Sequence, residues 1–116
     1  MSDAALAWVA RREPAAPPAL AEHVAAALGT LPPSTVERDD ELSAVVRACV
    51  DAAEATLVRV LVDGAVARAA ALDLLAADAL VTYAFEAASE RPDDLPAAAR
   101  EAMARLSRAA AAVPAT

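Results

Sequence analysis

The chain has 116 residues, 59% of them apolar, yet aromatic residues make up only 3%. Alanine supplies about a third of the sequence, a composition that favours helices and disfavours β-rich folds. The net charge of −7, with ten scattered arginines and no lysine, excludes a basic phosphate-binding stripe and with it direct nucleic-acid binding.

Lys, Asn, Gln and Ile are all missing, the pattern expected of a GC-rich bacterial genome. Their absence removes Schiff-base lysine chemistry, amide oxyanion donors and a phosphate-loop lysine. The single Cys49 forms no disulfide within the chain and fits a reducing compartment. Asp3 lies where a signal peptide would carry positive charge, and Arg47, Asp51, Glu54, Asp73 and Asp78 interrupt every apolar stretch. The expectation is therefore a cytoplasmic protein with no membrane span.

In chain order, Ser2 caps a short first helix running to about Arg12, where two arginines suit the negative end of the helix dipole and Pro14 stops it. Leu6, Trp8 and Val9 give this helix little to bury. A second helix starts at Pro17 or Pro18 and ends at Gly29, which is expected in the left-handed conformation that follows many helices. Ser34-Thr35-Val36-Glu37 has capping-box spacing and opens a long third helix reaching Asp63. Leu42, Val45, Val46, Cys49, Val50, Ala53, Leu57, Val60 and Leu61 form its apolar side. Asp40, Arg47, Asp51 and Glu54 mark the opposite side, and Val58 and Val62 continue that charged line as apolar residues.

The fourth helix, Arg68 to Glu90, is apolar over most of its circumference, with Asp78, Thr82, Glu86 and Ser89 as a narrow polar strip. Pro92 ends it, Asp93 or Asp94 caps a fifth helix, and Pro114 closes the run. In that last helix Glu101 and Arg105 have the spacing of a favourable pair within one helix. The expected fold is all-α: a single domain of four to five helices built on a long antiparallel hairpin. Residues 1–33 supply short N-terminal helices, 34–91 the hairpin and 93–113 the C-terminal helix.

Among polar residues, Asp73 stands out because Leu72, Leu74 and Leu75 flank it on the side opposite Asp78. If buried, its charge needs a partner, which Arg47, Arg59 or Arg68 would supply; otherwise it is an acid of the first turns favoured by the helix dipole. Glu37, Asp40 and Glu41 share a helix face and are weak candidates for a hard cation such as Mg²⁺, against the simpler reading of a dipole-favoured helix start. With Asp51 and Glu54 further along, their spacing resembles the paired acidic motifs of all-helical nucleotide pyrophosphohydrolases. His23, the only histidine, is expected to be exposed beside Glu22, and its solitude excludes a multi-histidine metal centre. Cys49 is expected as a small core hydrophobe. Trp8, Tyr83 and Phe85 are expected to pack in the core or at an interface.

The stretch LLAADALVTYAFE, Leu74 to Glu86, resembles the LLAxDALxTxAFE helix of trans-polyprenyl diphosphate synthases. The resemblance implies a buried, alanine-rich structural helix and carries none of that family's catalytic groups. Asp39-Asp40 and Asp93-Asp94 lack the DDxxD spacing that holds Mg²⁺-diphosphate in those enzymes.

No nucleophile, base and donor set converges in the sequence, and no catalytic residue or cofactor is assigned. The expectation is a non-enzymatic bundle acting through self-association or partner binding. Its homodimer contact is expected through Val58, Val62, Leu75, Leu80 and Tyr83, with the segment 68–90 enclosed by protein on nearly every side. The alternative is a small Mg²⁺-dependent enzyme or a lipid- or diphosphate-type ligand binder.

Overall fold

A computed structural model describes residues 3–32, 40–63 and 68–112. Among them are five helices and no strand: α1 (Asp3–Ala10), α2 (Pro18–Gly29), α3 (Glu41–Asp63), α4 (Arg68–Ala88) and α5 (Leu95–Ala112). Among the described residues no helix is long and apolar enough to cross a membrane. Ser2, the Ser34 to Glu37 capping box and Pro114 lie outside the described residues.

The helix ends follow local chemistry. Pro17 and Pro18 open α2, where a missing N–H costs nothing. Its other end departs from expectation, because Gly29 remains helical and Thr30 closes the helix in a right-handed conformation. The Thr30 N–H donates to the Ala26 carbonyl at 3.1 Å, and the Thr30 hydroxyl to the Ala27 carbonyl at 3.0 Å. These bonds satisfy carbonyls that a left-handed glycine would otherwise serve. Asp40 begins α3: its Oδ1 accepts the Ser43 N–H at 2.8 Å, and its carbonyl accepts the Ala44 N–H at 3.0 Å. That is N-cap geometry six residues after the Ser34 expected to open the helix. Asp94 takes the corresponding position before α5, with Pro96 tolerated in the first turn.

Helices α3 and α4 pair antiparallel. Arg59 meets Asp73 near their connection, and Arg91 meets Ser43 at the far end. The 23 residues of α3 account for most of the molecule's 40 Å long dimension. Helix α2 lies chiefly on α4, α5 chiefly on α3, and α1 crosses onto α3. Ala48, Ala52 and Ala53 of α3 and Ala76, Ala84 and Ala87 of α4 are buried in one cluster with Val45, Cys49 and Leu80. Small side chains on both contact faces favour the low end of the usual 8–10 Å axial separation.

Several side chains depart from the expected pattern. Leu61 is exposed, whereas Ala48, Ala52 and Thr56 are buried, so the inner face of α3 is rotated toward its alanines. Leu80, expected at a subunit seam, is wholly enclosed by its own chain. Tyr83 is half-buried, its ring edge-on to Trp8 at 6.1 Å. Trp8 is buried as well, so the short α1 contributes more to the core than its length implies. Arg12 lies over the Trp8 ring at 3.7 Å, a cation–π contact that fixes the chain just after α1. Helix α4 is not enclosed on every side by this chain: Ala71, Leu75, Asp78, Thr82 and Glu86 form an outward strip.

Candidate functional site

Three places concentrate chemistry or exposed apolar surface. The first joins α2, α3 and α4. His23 Nδ1 lies 2.9 Å from Asp73 Oδ1, and Arg59 Nη2 lies 3.2 Å from the same oxygen. The Asp73 side chain is 20% exposed and that of His23 28%, so both are largely shielded. Partial burial raises the Asp73 pKa, but the hydrogen bonds from His23 and Arg59 outweigh it, and the net direction is down. Arg59 is thus one of the partners expected for Asp73. His23 is the partner the sequence does not reveal, and it faces Asp73 rather than standing exposed beside Glu22. Fifty positions separate the two, and helical spacing relates residues only within one helix.

An imidazole oriented by a carboxylate is half of a nucleophile-activating arrangement. The other half would be a hydroxyl or thiol on the ring, and none of the described hydrogen bonds joins His23 to one. Cys49 is no substitute, since burial pushes its thiol up to about 12 and keeps it protonated and inert.

The second place lies between α3 and α5. Arg105, only 19% exposed, donates through Nη2 to Asp51 at 2.6 Å and to Glu54 at 3.1 Å, and through Nε to Glu54 at 3.3 Å. The bond to Glu54 raises the arginine's pKa most, burial opposes it, and the bond to Asp51 adds to the rise, so the net direction is up. The sequence places Asp51 and Glu54 on the charged side of the third helix and assigns Arg105 to Glu101 of its own helix. The fold instead uses that charged side to hold α5. At the other end of the same interface, Arg91 is paired with Asp40 and its Nη1 lies 3.4 Å from the Ser43 hydroxyl. The Arg91 hydrogen bond, with the Ser43 N–H behind it, lowers the Asp40 pKa to about 2. Between these two polar ends runs a groove of about 200 Å³ with Leu42, Val46, Val50, Ala98 and Ala102 in its apolar walls. Drug-sized ligands occupy roughly 300–1,000 Å³, so this space admits only something smaller.

Of the cation candidates, Glu37 lies outside the described residues and Glu41 is exposed. The Asp40 carboxylate is already engaged by the α3 cap and by Arg91. Among the described residues no three acidic, histidine or cysteine groups converge to hold a metal ion.

The third place is apolar. On α3, Val58, Leu61 and Val62 continue toward the connection the side that carries Asp51 and Glu54, beyond the Arg105 contact. Val62 is 65% exposed, Leu75 on α4 is 53% exposed, and Leu61 and Leu74 are exposed to a lesser degree. Val58 is half-buried. Thus Val62 and Leu75 present open surface, Val58 presents part of its surface, and Leu80 presents none.

Compared with protein-family models, curated proteins and solved structures, the chain matches none.

Proposed function

We propose that this chain is a non-enzymatic helical association module whose second copy docks at the connected end of the α3–α4 hairpin. The observation that carries this reading is the concentration there of large exposed apolar side chains, Leu61, Val62, Leu74 and Leu75. Apolar surface of this kind gains free energy when covered, at about 25 cal/mol per Å² removed from water. The polar clusters support the same reading, since Asp73, Asp51, Glu54 and Asp40 are each engaged by an arginine of their own chain. The Mg²⁺ or diphosphate alternative has less support, because Asp40 is engaged and the α3–α5 groove is small.

Light scattering across micromolar concentrations tests the proposal. The expected result is a dimer or larger species that falls in mass when Val62→Glu and Leu75→Glu are introduced together, with the helical signal retained. A monomeric mass for the unaltered chain would overturn it.

A further inference from the structure

Three helices fix the ring of His23. It lies midway along α2, whose Val24, Ala27 and Leu28 are buried against the hairpin. Asp73 from α4 and Arg59 from α3 meet it there, with His23 Nδ1 at 2.9 Å and Arg59 Nη2 at 3.2 Å from one Asp73 oxygen. These bonds hold the Asp73 carboxyl below its ordinary range, so it is ionised at neutral pH. An ionised carboxylate only accepts hydrogen bonds, so Nδ1 carries the ring proton, and in the neutral ring Nε2 keeps its lone pair. Nε2 has no partner among the described hydrogen bonds. Among the described residues Arg12 Nε is the only buried side-chain nitrogen or oxygen without one, so Nε2 opens to solvent. Half of the Arg59 side chain is exposed beside the pair.

With no hydroxyl or thiol on the ring to activate, the nucleophile of this cluster is the imidazole itself. A guanidinium alongside, with N–H groups left over from Asp73, suits an anionic group arriving at Nε2. We propose that His23 is a phosphoryl-acceptor site, modified at Nε2 by a small donor of the phosphoramidate or acyl-phosphate class. Nε2 gives its lone pair to phosphorus and an N–P bond forms. The bond from phosphorus to the leaving group breaks, and its electron pair departs with ammonia from phosphoramidate, whose nitrogen is already protonated, or with a carboxylate from an acyl phosphate. Nδ1 keeps its proton, and the positive charge developing on the ring is balanced by Asp73. The donor class follows from the site: Asp73 is ionised and a guanidinium gives up no proton, so the leaving group must depart without one from the protein. Asp73 is thus a positioning residue, and the site stands independently of self-association.

The single histidine of the chain makes the test specific. The unaltered protein is incubated with phosphoramidate and, separately, with acetyl phosphate, beside N-acetylhistidine as an imidazole that nothing orients. Intact mass follows incorporation, and phosphorus NMR separates the Nε2 from the Nδ1 product. The expected result is labelling by at least one donor at about tenfold the rate of N-acetylhistidine or more, at Nε2 alone, and none in His23→Ala. Asp73→Asn is expected to lose most of that advantage, and Asp73→Glu, which keeps the carboxylate, to retain part of it. Should Asp73→Asn fail to fold, the unaltered chain unfolded in urea takes its place and is expected to fall to the rate of N-acetylhistidine. A folded chain no faster than N-acetylhistidine, labelling at both ring nitrogens, label surviving in His23→Ala, or a folded Asp73→Asn as fast as the unaltered chain would overturn the proposal. So would an unfolded chain that keeps the rate of the folded one. None of these outcomes touches the apolar docking, which is judged on the mass of the unaltered chain.

Discussion

Asp40 performs two tasks that a single substitution separates. Its Oδ1 caps α3, and its charge pairs with Arg91 from the α4–α5 turn. A carboxyl held at about 2 instead of 3.8 stabilises the fold fully above the ordinary value, and this contribution disappears as pH falls toward 2. Asp73, also shifted down, acts with the same sign. Asn is a good N-cap and still accepts the Ser43 N–H, but it carries no charge. Asp40→Asn is therefore expected to flatten the loss of stability between pH 4 and 2 while leaving α3 capped, as followed by melting temperature against pH. An unchanged acid dependence would show that the Arg91 pair contributes nothing there, the usual fate of solvated ion pairs.

At the scale of elements, the hairpin was legible because apolar periodicity, proline punctuation and charge position all act within a helix. Pro17 and Pro18, Pro92 and the 68–90 run each mark a real boundary to within a few residues. What could not be read was which helix a polar stripe faces. Asp51 and Glu54 look like any charged side until α5 supplies Arg105, and His23 looks idle until α2 is laid on Asp73. Leu80 was misplaced for a related reason: on a helix apolar nearly all round, the sequence does not say which apolar residues point inward. Its complete burial makes Leu80→Ala a test of the α4 core, with an expected loss of about 2–5 kcal/mol in urea unfolding. Leu75→Ala on the outward strip is expected to cost far less in the isolated chain. Equal losses at the two positions would contradict the burial pattern.

For the molecule as a whole, the net charge of −7 opposes the approach of a second copy. Salt screens that repulsion and leaves apolar contacts intact, so self-association at the hairpin end is expected to tighten as ionic strength rises. Sedimentation equilibrium at low and high salt would check it, and weakening with salt would mean that charge pairs dominate the contact. The interior imposes a different kind of limit. Twelve of the twenty buried apolar residues described are alanines, among them Ala84 where α4 enters the core. These alanine positions have almost nothing left to trim, so their vulnerability runs toward enlargement: Ala84→Leu is expected to cost about 1–3 kcal/mol or more in urea unfolding by wedging the helices apart. Variation at these alanine positions meets a steric ceiling on side-chain size, and sequence drift should move freely on the outward strips while the inner faces admit little beyond glycine or serine.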